Sequence, residues 1–385
     1  MSQTTPLQNI TAAVTPGKGA DFVLTPLKIR RPQRDEVLVK IVATGMCHTD
    51  LIVRDQYYPV PLPAVLGHEG AGIVQAVGPE VRALQAGDHV VLSYGHCGIC
   101  KQCVSGRPAY CAEFFGRNFS GADEQGGHAV CSHDHSDMHD HFFAQSSFAS
   151  YAISRESNAV KVDAGAPLEY LGPLGCGIQT GAGSVMNVLK VPPAASFATW
   201  GAGAVGLSAL LAAKFCGAAT LIAVDIDESR LALARDLGAT HTVNSKNEDA
   251  VAAVQAITHD GVDFALESTG RPEVLKHGVD ALGTLGKIAV VGAPALGTTA
   301  QFDVNDLLLG GKTIVGVVEG SSVPKVFIPE LVDLFMQGKF PFDKLIKFYD
   351  FKDINQAAID SQKGITLKPV LKIADTYSDQ YIIIA

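Results

Sequence analysis

SFATWGAGAVGLSALLAAKF, residues 196–215, runs from an apolar extended segment through a glycine-rich turn into an apolar helix. The order of those three pieces decides the fold. SFATW is short and apolar, as a buried strand requires, whereas AVGLSALLAAKF is longer than most strands and rich in helix formers. Between them Gly201, Gly203 and Gly206 are spaced G-x-G-x-x-G, with Val205 inside the motif. The first glycine permits a tight turn, the second lets backbone N–H groups approach a pyrophosphate, and the third lets helix pack on strand, with the helix N-terminus facing the anion. Six residues alone fit any glycine turn. Flanked by strand and helix, and followed by Asp225 at the end of the next apolar run, nineteen residues past Gly206, they read as a dinucleotide-binding turn. A carboxylate at Asp225 can accept from an adenosine ribose diol and repels a 2′-phosphate, which favours NAD over NADP. Arg230, five residues on, could meet such a phosphate or sit as a solvated charge on a helix face.

Outward from this turn the chain keeps alternating. A helix, SRLALARDLG, stops at Gly238, and strands VDFALEST (262–269) and KIAVVGA (287–293) follow with helical RPEVLKHGVDALG between them. That succession predicts a parallel sheet covered by helices. Before residue 177 the pattern differs: VLVKIVATG (37–45), AGIVQAVG (71–78), DHVVLSYG (88–95) and SYAIS (150–154) are short runs bounded by Gly, Pro and Asp, as in an irregular barrel with long loops. From about residue 321 the alternation gives way to a helix (PELVDLFMQG), a charged loop and a strand, KPVLKI. The expected organisation is therefore α/β, with a mainly β domain of residues 1–177 completed by 321–385, and a doubly wound parallel sheet at 178–320 inserted in it.

Composition narrows the classes. At 385 residues, 47% hydrophobic and 18% charged, the chain is a folded protein with room for two domains. Thirty basic against thirty-nine acidic side chains, a net charge of −9, give no overall attraction for a nucleic-acid backbone. Residues 1–14 lack a basic segment followed by an apolar core, and the most apolar later stretch is broken by Lys214, so no membrane span is expected and a cytoplasmic location is. In a reducing compartment a dense set of thiols reads as metal-binding or catalytic before it reads as disulfides.

Four of the eight cysteines lie in CGICKQCVSGRPAYC: Cys97, Cys100, Cys103 and Cys111, spaced x2, x2, x7. C-x2-C turns present paired sulfurs to one tetrahedral zinc. An iron–sulfur run has three residues before its last cysteine and a proline after it; here seven intervene and Ala112 follows, which favours zinc. Four thiolates with no open position describe a structural ion. Cys47 and His48 in GMCHTD, His68 and Glu69 in GHEGAG, and Cys176 in LGCGIQTG are scattered, and each alone fits a buried core residue. Two thiols and one imidazole would nevertheless make a three-ligand zinc site with a free position, which Lewis-acid catalysis requires.

GMCHTD, GHEGAGIV, the four-cysteine loop, CGIQTG and GAGAVG, in this order, resemble the zinc-dependent medium-chain alcohol dehydrogenases over nearly the whole chain. The stretch HFFAQSSFASYAIS makes it most similar to the aryl-alcohol (benzyl alcohol) branch. The resemblance implies a Rossmann domain inserted in a GroES-like catalytic domain, and two zinc ions per subunit. It places catalytic zinc on Cys47, His68 and Cys176 with Glu69 nearby, structural zinc on the four-cysteine loop, and Asp50 as the partner that orients His68. It gives Thr49 the alcohol proton, sets His48 against the cofactor pyrophosphate, and adds Thr180 and Val205 as cofactor contacts. Many relatives complete the proton relay with a histidine three positions after the hydroxyl residue; this chain has Ile52, so His48 or bulk water must receive the proton. Register with the family puts Ser93, Phe142, Phe143 and Ala293 around the reacting carbon, small groups and two phenyl rings that suit a primary aromatic or allylic terpenoid alcohol.

Two other readings fit the same motifs: a glutathione-dependent formaldehyde dehydrogenase, and a non-catalytic, zinc-stabilised nucleotide-binding protein. HAVCSHDHSDMHDHF (128–142), with five histidines and Cys131, has the residues for a third metal site but is expected to be a solvated loop that collects metal adventitiously. GKTIVGVVEG (311–320) is an apolar strand near the end of the sheet, and such an edge invites a twin, so a homodimer or homotetramer is expected.

Overall fold

In the computed structural model of the chain, residues 7–132 and 138–373 are described. They divide into two compact units. One holds the chain up to Cys176, Val323–Met336 and the chain from Asp343; the other holds Gly177–Ser322 and Gln337–Phe342.

In the second unit six parallel strands lie in the order His241–Asn244, Thr220–Asp225, Ser196–Trp200, Val262–Glu267, Leu282–Val290, Thr313–Gly316, which in chain order is 3-2-1-4-5-6. That is the doubly wound arrangement, and it puts Ser196–Trp200 at the centre with the glycine turn at its carboxyl end. The strand is central because its side chains are apolar on both faces: Phe197, Ala198 and Trp200 are all buried. Helix Ala204–Phe215 follows at once, and helix Glu228–Leu237 begins on Asp227, whose side chain accepts from Ser229 and Arg230 N–H, and ends at Gly238 in the left-handed region. Thr313–Gly316 is the sheet edge, bonded only to Leu282–Val290 among the described strands.

The first unit is built around Glu36–Gly45. This strand pairs antiparallel with Glu69–Val77 and Tyr151–Arg155, and its end pairs with Lys368–Lys372, which returns from the far end of the chain. The register sets Gly45 opposite Glu69 on one side and Val370 on the other. A second, four-stranded sheet contains the hairpin of Gln8–Thr15 and Val23–Ile29. Gln337–Phe342, which the sequence pattern left with the first unit, groups with the second, where Phe340 and Phe342 are fully buried. No helix among the described residues is long and apolar enough to cross a membrane.

Candidate functional site

The turn at the carboxyl end of Ser196–Trp200 shows why three glycines stand where they do. Gly201 has φ +97°, a conformation costly for any side chain. A Cβ on Gly206 would lie 1.9 Å from the Gly201 carbonyl oxygen, so the helix could not pack there. A Cβ on Gly203 would meet nothing within 4 Å, which leaves that face of the turn open to a ligand. Asp225, 8% exposed, accepts from Ala202 N–H at 2.6 Å, Ile226 N–H at 2.7 Å and Asp227 N–H at 2.9 Å. The carboxylate thus ties the glycine turn to its own strand end. Arg230 Nη1 stands 3.9 Å from Asp225, and its Nε is buried without a partner. Val205 and Thr180 are half-buried, and Ala293 is exposed.

In the first unit, ligand atoms of Cys47, His68, Glu69 and Cys176 lie within 4.8 Å of one another. Asp50 organises this group. Its Oδ2 accepts from Cys47 N–H at 2.8 Å, capping helix His48–Arg54, while its Oδ1 lies 2.8 Å from His68 Nδ1 and accepts from Gly67 N–H at 3.2 Å. One carboxylate therefore fixes two of the clustered residues and makes Nδ1 of His68 the protonated nitrogen. Nε2 is left fully buried with no hydrogen-bond partner. Phe143 stacks on the imidazole at 4.5 Å and Phe142 meets it edge-on at 5.3 Å. Gln145 donates to the His68 carbonyl at 2.9 Å, and Ser93 donates to the Gly175 carbonyl at 2.8 Å, just before Cys176. Thr49 Oγ1 is 3.7 Å from Cys47 Sγ, and His48 is exposed.

Sequence reasoning missed Lys368. Its ammonium, 3% exposed, holds both Glu69 oxygens at 2.7 and 2.9 Å, and a Cβ on Gly45 would strike Glu69 Oε2. A lysine inside the apolar strand KPVLKI was the available signal, since a buried ammonium demands a partner. Burial pushes the Glu69 carboxyl up to about 7 against the pull of Lys368. The Cys176 side chain, hydrogen-bonded to Cys47, holds that thiol well below its ordinary value, with Lys368 and His68 adding to the effect against burial.

The other group is Cys97, Cys100, Cys103 and Cys111. Sγ of Cys103 is 3.5 Å from that of Cys100 and 3.9 Å from that of Cys97, far beyond a disulfide and close to the roughly 3.8 Å edge of a tetrahedron with Zn–S of about 2.3 Å. Backbone N–H groups of Cys97 and Glu113 point at Cys111 Sγ, that of Cys100 at Cys97 Sγ, and that of Ala112 at Cys100 Sγ. The N–H groups of Ala112 and Cys103 bring Cys100 down to about 6, whereas burial and the neighbouring thiols push Cys103 up to about 12. Four such sulfurs can all be thiolates only around a cation. The donor set fits zinc in both groups, and the orphaned His68 Nε2 fits it in the first.

Of the five histidines in 128–142, His133 and His135 lie outside the described residues. His128 and His139 meet edge to face at 5.1 Å, and His141 is buried.

Comparisons with known proteins agree with this architecture. Residues 33–164 match the alcohol dehydrogenase GroES-like domain and residues 204–337 the zinc-binding dehydrogenase domain. The chain is 44% identical over 372 residues to a geraniol dehydrogenase of Castellaniella defragrans, covering 96% of this chain and 100% of that one. The crystal structure of benzyl alcohol dehydrogenase from Acinetobacter calcoaceticus matches at 74% identity and a TM-score of 0.93, covering 96% of this chain and 100% of that one. An alcohol dehydrogenase zinc-binding domain protein from Burkholderia ambifaria matches at 64% identity and a TM-score of 0.95, with the same coverage. On these matches the chain belongs to the zinc-dependent medium-chain alcohol dehydrogenases, enzymes that act on small alcohols with zinc and a nicotinamide cofactor.

Proposed function

We propose that this enzyme oxidises a primary aromatic or allylic alcohol to its aldehyde, reversibly, with NAD as hydride acceptor and two zinc ions per subunit. The observation that carries the reading is the buried, partnerless His68 Nε2 within ligand reach of the Cys47 and Cys176 sulfurs. Cys47, His68 and Cys176 would hold the catalytic ion, and the four-cysteine loop the structural one. When bound, the catalytic zinc supplies Lewis-acid polarisation of the alcohol oxygen. Asp50 keeps the His68 proton on Nδ1, so that Nε2 offers a lone pair. Lys368 occupies both Glu69 oxygens and so keeps that carboxylate from filling the position an alcohol needs. Thr49 Oγ1 takes the alcohol proton. With Ile52 in place of a relay histidine, exposed His48 or bulk water receives it next. NAD, which the glycine turn and Asp225 would hold by its pyrophosphate and adenosine ribose, would supply the hydride acceptor.

The relatives' names, geraniol and benzyl alcohol dehydrogenase, support an unsaturated alcohol, and Phe142 and Phe143 set apolar rings against His68. Val304, Leu308 and Leu309 are exposed on the helix that precedes edge strand Thr313–Gly316 in the chain, which supports a homodimer or homotetramer joined through that part of the sheet. Eight unbridged cysteines support a cytoplasmic location. A steady-state panel of benzylic, terpenoid and short aliphatic alcohols with NAD tests the substrate reading, with kcat/KM expected to be highest for benzyl alcohol or geraniol. A preference for ethanol, or activity confined to S-hydroxymethylglutathione, would replace it.

A further inference from the structure

Away from both thiol groups, Glu36, Asp123 and His141 come together on one wall of a cavity of about 510 Å3. Ligand atoms of the three lie within 4.8 Å of one another. His141 is 7% exposed, yet its Nε2 has no hydrogen-bond partner. Asp140, 2% exposed, turns an equally unpartnered Oδ1 to within 3.5 Å of that nitrogen, and His128 Nδ1 is 3.8 Å from the same oxygen. The carboxylates are fixed in place: Asp140 Oδ2 accepts from Ala129 and Val130 N–H, and Asp123 Oδ1 from Gln125 and Gly127 N–H, which leaves Asp140 Oδ1 turned to His141 and Asp123 Oδ2 turned to Arg30. Buried polar atoms left open side by side call for a water or an ion.

Charge decides between them. Arg30 holds Glu36 through both nitrogens and stands 3.7 Å from Asp123, and Asp140 is near enough to act on its charge, so one guanidinium serves three carboxylates. With the imidazoles of His128 and His141 neutral, two negative charges remain. The other arginines at the cavity bring no surplus, because Arg117 is paired with Glu113 and Glu124, and Arg155 with Asp35 and Glu124. A divalent ion cancels the remainder, and an imidazole nitrogen with carboxylate oxygens is a donor set suited to zinc, cobalt or manganese.

We infer that His141, Asp140 and Asp123 form a third divalent-cation site, with Glu36 and Arg30 setting its charge. The site has a structural consequence. His141, Phe143, Ala144 and Ser146 all have φ between +50° and +59°, which non-glycine residues hold only when their surroundings fix them. An ion on His141 pins the first residue of the segment that lays Phe142 and Phe143 against His68. The inference is independent of the proposed substrate and cofactor.

The test is a titration of the full-length enzyme with Zn2+ after dialysis against a weak chelator that spares thiolate-bound zinc. One equivalent per chain is expected to return, and to be lost in His141→Gln and in Asp123→Asn. It should persist in a His133→Asn, His135→Asn double variant. Co2+ used in the same step should add no sulfur-to-metal charge-transfer absorption. The site is refuted if wild type takes up no further equivalent, if His141→Gln retains it, if the double variant loses it, or if the cobalt spectrum shows thiolate. Where a variant fails to fold, no further uptake by wild type, or a thiolate cobalt spectrum, still refutes the site.

Discussion

Replacing Asp225 with serine probes nucleotide choice more sharply than the motif alone could. The carboxylate already accepts three backbone N–H groups, from Ala202, Ile226 and Asp227. With roughly four acceptor positions on a carboxylate, about one remains for a ribose hydroxyl. The substitution therefore does two things. It unties Ala202 inside the glycine turn, which weakens both cofactors alike. It also removes from NAD a hydrogen bond to a charged group, worth roughly 1.5 kcal/mol at the low end. For NADP it removes repulsion of the 2′-phosphate, about 3 kcal/mol per unit charge at ~5 Å and an effective dielectric of ~20, which solvent and salt cut to half or less. The two differential effects sum to about 3 kcal/mol, or about two orders of magnitude. The assay is kcat/KM for one alcohol with each cofactor, and the quantity read is the NADP-to-NAD ratio, from which the shared damage to the turn cancels. Arg230, released from Asp225, would add to the swing. If both constants fall together and the ratio stays put, Asp225 is a turn anchor only and the nucleotide assignment is wrong.

Other outcomes follow from the same geometry. Asp50→Asn loses the carboxylate behind His68 Nδ1 and should lower zinc affinity about 10–100-fold, measured by chelator competition; unchanged affinity would remove Asp50 from the metal site. Gly206→Ala sets a Cβ against the Gly201 carbonyl and should cost about 1–3 kcal/mol in denaturant unfolding while weakening NADH binding; a wild-type Kd would contradict the turn's role. Cys103→Ser should reduce bound zinc by one equivalent and lower Tm, and full zinc content would move the structural ion elsewhere. His48→Gln should shift the pH profile of kcat if the exposed imidazole ends the relay; an unshifted profile leaves bulk water as the acceptor.

The inserted sheet was legible because its signals are local. Strands such as Ser196–Trp200 and Thr220–Asp225 are apolar runs, and Asp227 and Gly238 mark both ends of one helix, whereas His241–Asn244, with three polar residues of four, went unread. The hairpin of Gln8–Thr15 and Val23–Ile29 was not, because Pro26 and polar residues break its alternation and its stability comes from pairing rather than periodicity. Pro329 reads as a helix start by its preference for the first turn, but the helix runs Pro324–Met336 with Pro329 inside it. In the site, the cysteines announced themselves by spacing. Lys368 and Gln145 did not, since each reaches its partner across a distance in sequence that only tertiary pairing closes. The same holds for Arg30 and Asp123, which no spacing links to His141.

The most direct test of the account is a crystal structure with anomalous differences recorded on both sides of the zinc absorption edge. A peak within bonding distance of Cys47 Sγ, His68 Nε2 and Cys176 Sγ, with Glu69 held back on Lys368, is the predicted result. Absence of a peak there, with the four-cysteine peak present, would contradict the proposed catalytic metal centre.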